Sequence, residues 1–229
     1  MAVENLEISL SELNFDTLAK DGDKSKLNSE MVYQRLDELT SVAGKLVDPT
    51  LLYEICPVSV KDGRLLFYAG DEIYSLDIND GLSELTPARE VVIGLITLGS
   101  AIEWEIRKYN SENQLLASYL LSEISISMMG QLIAKTKKMI MDLARTKDFC
   151  VSLVHIPGST PGLSLSIQPF ILNVLKGENK GITVNQHMMI EPFYSVTFLV
   201  GIGTAYNNHD LYPKCPGCSR AKSCAWRNL

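Results

Sequence analysis

The sequence predicts an α+β protein, because helical and strand-forming segments are mixed without a regular strand–helix–strand repeat. Two β-prone runs, 64–68 and 72–76, flank a short turn that contains glycine, which indicates a hairpin. Residues 28–48 form an amphipathic stretch that opens at Asn-Ser and is stopped by Asp-Pro, which predicts a helix. Its apolar residues recur at helical spacing, at Val32, Leu36, Leu39, Ala43 and Leu46.

Two further helices are predicted in the middle of the chain. Thr86 supplies a capping hydroxyl and Pro87 stands at a first helical position, so we expect a helix over 86–109. The four residues that begin at Ser111 match a capping box. A long helix is therefore expected over 111–145.

The second half of the chain changes character and is richer in strand-forming residues. We predict a strand at 149–155, a Pro/Gly-rich loop at 156–162 and a short helix at 166–175. Two more strands are expected at 181–190 and 193–200, separated by Glu-Pro.

Composition limits the classes of function. With 229 residues, of which 46% are hydrophobic and 21% charged, the chain suits one large domain with a buried core. The formal net charge of −6 disfavours nucleic acid as a partner. The first ten residues lack the basic and apolar regions of a secretory signal, and polar residues interrupt the apolar stretches. We therefore predict a cytoplasmic protein without a membrane partner.

The cysteines fall into two groups. Cys56 and Cys150 stand in apolar surroundings and are predicted to be core residues. Cys215, Cys218 and Cys224 crowd into ten residues, in a C-x2-C-x5-C spacing. A reducing cytosol disfavours disulfides, so this second group needs another explanation.

The spacing of these three cysteines predicts a metal centre. Thiolates bind soft and borderline metals, and the Pro-Gly between the first two cysteines favours the tight turn that brings two sulfurs to one ion. An iron–sulfur cluster held by three cysteines would keep one iron open, whereas zinc would take a fourth ligand such as His209, Asp210, water or a partner group. Ordinary thiols in an unstructured tail are the remaining alternative. Basic residues that would lower the thiol pKa surround the cysteines: Lys214, Arg220, Lys222 and Arg227.

The Pro/Gly-rich loop is a second candidate site. Pro157, Gly158, Ser159 and Gly162 could let backbone N–H groups approach an anion or a nucleotide-like ligand. The loop has neither P-loop nor dinucleotide-fingerprint spacing. The alternative is a plain connection between a strand and a helix.

The order of short motifs in the chain resembles the activation-domain family of vitamin B12-dependent methionine synthase. The resemblance covers roughly residues 27–229 and is closest to small stand-alone members, some of which end in a three-cysteine tail. The motifs that carry it are Ile96-Thr-Leu-Gly99, Ile156-Pro-Gly158, Gln168, Phe170 to Leu175, Gly181 to Asn185, Met188-Met189, Pro192 with Ser195-Val196, and Gly201-Ile-Gly203.

This resemblance implies a curved, mainly antiparallel sheet with flanking helices. In the full synthase, such a domain binds S-adenosylmethionine, docks over the cobalamin domain and supports reductive methylation of cob(II)alamin. The family carries an arginine before the Pro-Gly loop and a tyrosine after its glycine, where this chain has Val154 and Ser159. The side chains that recognise S-adenosylmethionine in the family are thus missing here.

These observations lead to three functional hypotheses. The first is an accessory protein of cobalamin-dependent methyl transfer, which reactivates a corrinoid protein or a cobalamin-dependent methyltransferase through the metal or iron–sulfur centre. The second is a small-molecule binding module with a structural zinc tail, and the third is a methyltransferase component that contacts cobalamin itself. The sequence leaves catalytic turnover open. We divide the chain into an N-terminal segment (1–27), an activation-domain-like domain (28–208) and a cysteine-rich metal-binding tail (209–229).

Overall fold

The computed structural model describes residues 2–13, 30–78 and 82–206. The helices are α1 (Glu30–Leu46), α2 (Ala101–Ser111), α3 (Leu115–Thr146) and α4 (Gln168–Val174). The strands are β1 (Ala2–Asn5), β2 (Thr50–Lys61), β3 (Arg64–Ala69), β4 (Glu72–Asp77), β5 (Glu90–Thr97), β6 (Cys150–Val151), β7 (Thr183–Val184), β8 (Ile190–Glu191) and β9 (Ser195–Gly203).

One antiparallel sheet organises the described part of the chain. Its strand order is β4-β3-β2-β5-β9-β6, and β1 pairs with β2 beside this path. The long strand β2 pairs with β5 over its first eight residues and with β3 over its last four. Because one strand serves two ladders in succession, the sheet curls into a half-barrel. The predicted α+β class with a curved antiparallel sheet and flanking helices is confirmed.

Strand β5 corrects the prediction of a helix over 86–109. Residues 91–97 are buried, and their side chains alternate between the two faces of the sheet. A strand that is covered on both faces has a continuous apolar run, and such a run cannot be separated from a buried helix by periodicity alone. Gly99, with φ of +80°, ends the strand segment, and α2 begins at Ala101.

Apolar elements cover both faces of the sheet. Helices α1, α2 and α3 pack on one face, where Leu39, Ile102 and Ile124 are buried. Helix α4 and the segment around it pack on the other face, where Phe67 and Ile171 are buried. Burying a side chain of this size contributes about 1.5–3 kcal/mol. The domain therefore holds two apolar layers, with the sheet between them.

Helix α3 is the longest helix in the described ranges. By length and composition it could also cross a membrane, but 44% of its most apolar window is buried inside this structure. Its buried residues form one stripe against the sheet and its neighbouring helices, including Leu120, Ile124, Met128 and Leu132. These contacts are those of a core helix, and localisation in the cytoplasm stays a prediction.

The predicted capping box at Ser111 is wrong, although the long helix that it introduced is confirmed. Ser111 is the last residue of α2, and its hydroxyl donates to the carbonyl of Lys108 at 2.8 Å. Asn113, with φ of +57°, turns the chain between the two helices. Gln114 is the N-cap of α3 and makes no side-chain cap.

The single strand predicted at 181–190 is a small hairpin. Strands β7 and β8 pair with each other, and the turn between them is built on Asn185. The Asn185 side-chain oxygen accepts from the amides of His187 at 2.9 Å and Met189 at 3.1 Å. Asparagine favours such turns because its side chain bonds the backbone a few residues ahead.

The contact between Gly94 and Phe198 gives a testable constraint on the sheet. The two residues are paired across β5 and β9, and a side chain at Gly94 would overlap the Phe198 ring. We expect Gly94→Ala to lower the free energy of unfolding by about 1–3 kcal/mol, through overpacking. Urea denaturation measures the change.

Gly130→Ala is the matched control. Gly130 lies in α3 with no atom within 4 Å of an added Cβ, so alanine should be neutral or stabilise the helix by up to about 1 kcal/mol. Equal effects of the two substitutions would contradict the described packing of β5 against β9.

Candidate functional site

A cleft of about 390 Å³ lies at the β6 edge of the sheet. The turn that precedes β5 forms one wall, and the chain that follows β6 forms the other. Its lining is rich in hydroxyl groups and contains one charged side chain, Glu84: the residues are Ser83, Glu84, Thr86, Pro87, Ser152, Leu153 and Tyr206.

Backbone pairing to β9 fixes the wall that follows β6. The amide of Ser152 donates to the carbonyl of Gly201 at 2.7 Å, and the Ser152 hydroxyl oxygen accepts from the Gly201 amide at 2.8 Å. Three residues after Ser152, His155 exchanges a pair of backbone hydrogen bonds with Leu199, each 2.9 Å. The predicted strand 149–155 thus continues along β9 beyond the two residues of β6, and it aligns Leu153 with the cleft.

Tyr206 closes one end of the cleft. Its hydroxyl donates to the carbonyl of Glu84 at 2.9 Å, and its ring packs against the apolar layer around α4. A side chain at Gly201 would overlap the Tyr206 hydroxyl, so the glycine makes room for this contact. Burial raises the pKa of Tyr206, which keeps the hydroxyl protonated as a donor.

His155 is a buried polar residue with unmet hydrogen-bonding capacity. It is 2% exposed, and neither ring nitrogen has a hydrogen-bond partner among the described residues. Its Nε2 lies 3.8 Å from Glu84 Oε2, which is too long for a hydrogen bond. Burial lowers the pKa of His155, and the nearby Glu84 carboxylate opposes part of that effect. The site therefore holds a neutral imidazole beside an exposed carboxylate.

The Pro/Gly-rich loop uses its own amides internally. The Gly158 amide donates to Leu163 O at 2.9 Å, and the Thr160 amide donates to Ile156 O, also at 2.9 Å. The Thr160 hydroxyl accepts from the Ile156 amide at 2.9 Å. An anion at this loop would have to find donors other than these.

Backbone conformation accounts for both glycines of the loop, and packing adds a second reason for Gly158. Gly158 and Gly162 both have φ of +75°, and a side chain at Gly158 would crowd Leu165 at 2.8 Å. Val154 packs against the apolar layer on the side of α1 to α3. The ligand role predicted for Pro157, Gly158, Ser159 and Gly162 stays a prediction.

The three cysteines predicted to bind a metal, Cys215, Cys218 and Cys224, lie outside the described residues. Within the described ranges, no group of three or more His, Cys, Asp and Glu residues is arranged to hold a metal ion. Cys56 is fully buried, as predicted, and burial raises its thiol pKa to about 12. Cys150 is only partly buried.

Sequence reasoning did not find the cleft. Glu84 and His155 are far apart in the chain, and neither belongs to a recognisable spacing. A lone histidine in an apolar strand gives no local signal that its nitrogens will be unpaired. Only the pairing of residues 152–155 with β9 brings the two residues together.

Comparison with known proteins identifies the fold. No known family model matches the chain, and no curated protein matches it. A crystal structure of the MetH reactivation domain bound to AdoHcy superimposes with a TM-score of 0.62 and covers 91% of this chain and 80% of its own. The chain has the fold of that reactivation domain. Because the two sequences are 11% identical, the likeness to the reactivation domain is one of fold alone.

Acidification tests the environment of His155. An unfolded chain binds a proton at histidine with a pKa of about 6.5, whereas folding lowers the pKa of His155. The unfolded state therefore takes up more protons, and stability falls as pH drops from about 7.5 to about 5.5. We expect His155→Gln to flatten this dependence in urea unfolding measurements.

The exposed His187, in the turn between β7 and β8, supplies the control. His187→Gln should leave the slope of stability against pH close to that of the unmodified chain. The pH dependence of stability is not due to His155 if both variants change the slope equally, or if neither variant changes it.

Proposed function

We propose that this protein is an accessory protein of cobalamin-dependent methyl transfer, which assists the reductive reactivation of a corrinoid protein or a cobalamin-dependent methyltransferase. The fold shared with the MetH reactivation domain is the observation that carries this proposal. In this proposal the described domain docks on the partner, and Cys215, Cys218 and Cys224 hold a metal or an iron–sulfur cluster.

The chemistry of the tail supports a redox role. A corrinoid that has been oxidised to cob(II)alamin needs one electron to return to cob(I)alamin. An iron–sulfur cluster held by the three cysteines would supply such a low-potential electron, and an external donor would reduce the cluster again after each transfer. In this proposal the partner protein binds the cobalamin, and this chain acts on it there.

The domain itself offers little for direct recognition of S-adenosylmethionine. The family resemblance would place recognition side chains at Val154 and Ser159, which carry neither a guanidinium nor a ring. Val154 is also packed into the apolar layer. The proposal therefore assigns the methyl donor to the partner.

Metal analysis of protein purified without oxygen tests the centre. We expect iron with acid-labile sulfide, and we expect Cys218→Ser to lose most of the bound metal because it removes one sulfur ligand. Ser223→Ala, in the same tail, should retain it. Zinc without sulfide would exclude the redox form of the proposal, and unchanged metal in Cys218→Ser would exclude this ligand set.

Reactivation is measured with a corrinoid protein as substrate. Under anaerobic conditions with a reductant, the complete chain should speed the loss of the cob(II)alamin electron paramagnetic resonance signal, and Cys218→Ser should abolish that acceleration. If the complete chain and its Cys218→Ser variant speed the loss of the signal equally, electron delivery through the tail is excluded. Only the docking part of the proposal then remains.

A small-molecule binding module with a structural zinc tail is the second candidate. The cleft of about 390 Å³ beside Glu84 favours it, because this volume falls within the range of ligand pockets. Thermal-shift measurements with S-adenosylmethionine, S-adenosylhomocysteine and cobalamin separate the candidates, since a ligand of the folded state raises its apparent stability. A rise with cobalamin alone would favour a component that contacts cobalamin itself.

A further inference from the structure

The described chain ends on the wall of the cleft. Tyr206 lines the cleft, and the contacts of its hydroxyl with Glu84 and of its ring with the apolar layer hold it there. Gly201 makes this position possible. Residues 207–229 therefore begin at the cleft, whatever path they take afterwards.

The cleft and these following residues have opposite charges. Glu84 is the one charged residue in the lining, and its side chain is 58% exposed. Residues 207–229 carry one acidic residue, Asp210, in a chain whose net charge is −6. Four basic residues stand in the same segment: Lys214, Arg220, Lys222 and Arg227.

His155 is buried beside Glu84 and does not itself line the cleft. A buried imidazole with both nitrogens unpaired has lost its hydrogen bonds to water without gaining others. No described residue supplies these bonds. Because these nitrogens are buried, a segment that lies across this wall contacts Glu84 rather than the imidazole.

We propose that residues 207–229 dock back onto this cleft, with their basic side chains against Glu84, so that the three cysteines are held beside the β6 edge of the sheet. The occupant of the cleft is then a segment of this same chain. Docking does not depend on the proposed function, since it needs neither a metal nor a corrinoid partner. If the docking and the proposed metal centre are both correct, the metal centre has a fixed position on the domain.

Trp226 provides a direct probe. The chain has two tryptophans, and the other is Trp104, which is exposed on α2. In a Trp104→Phe background, Trp226 is the single tryptophan and reports its own exposure to solvent. Docking predicts an emission maximum shifted to the blue of the urea-unfolded chain and a reduced quenching by acrylamide.

Charge reversal at Glu84 should release residues 207–229 from the cleft, and Trp226 with them. Glu84→Lys in this background should shift the Trp226 emission to the red and raise the acrylamide quenching constant several-fold, because it replaces an attraction by a repulsion. Glu178→Lys makes the same charge change at an exposed position near α4 and should leave both quantities unchanged. Far-UV circular dichroism confirms that each variant is folded.

Three outcomes would overturn the inference: Trp226 as accessible in the folded chain as in the unfolded one, no release by Glu84→Lys, or equal release by Glu178→Lys. Metal content is measured on the same samples. Absence of docking with metal retained overturns this inference alone. Docking without any metal overturns the metal centre of the proposed function and leaves the inference standing.

Discussion

The pairing of β9 along both of its edges is the constraint on which the rest of the structure depends. One edge carries the full ladder to β5, and the other carries β6 and the bridge at His155. The ladder to β5 brings Phe198 over Gly94, which joins the two halves of the curled sheet. The opposite edge holds the wall of the cleft, and Gly201 on the same strand seats Tyr206. One buried strand thus sets the core and the candidate site together.

The energetic consequence is a wall of the cleft with a rigid backbone, next to a buried imidazole whose nitrogens have no described hydrogen-bond partner. Residues 152–155 are fixed by hydrogen bonds to β9, so His155 cannot leave its position without breaking the ladder. Removing a charge from water is costly, which keeps its imidazole neutral. The adjacent Glu84 side chain is 58% exposed and lies at the surface. A backbone wall of fixed position with one exposed carboxylate offers a defined surface for a basic segment.

Much of the fold could be predicted from the sequence, and the main failure, strand β5, has a definite physical cause. Helix α1, the hairpin of β3 and β4, and helix α3 have one apolar face or clear turn residues, so their pattern reports their structure. Strand β5 is apolar on both faces, and its continuous apolar run fits a buried helix as well as a strand. The site failed for another reason: Glu84 and His155 meet through sheet pairing between distant segments, which no local pattern encodes.

The likeness to the MetH reactivation domain and the cysteine spacing are independent observations, and their combination narrows the function more than either does alone. The fold by itself is compatible with docking and says nothing about electrons, since at 11% identity the ligand-recognising side chains need not be kept. The C-x2-C-x5-C spacing by itself is compatible with structural zinc. A redox centre is useful to a corrinoid only if it comes close to the macrocycle. Under the proposal that the domain docks on a partner, the residues that follow Tyr206 would be carried to that partner with it. Tyr206 lies at the edge of the sheet, so the residues that follow it start from that edge. This starting point decides which side of the domain the proposed metal centre can serve.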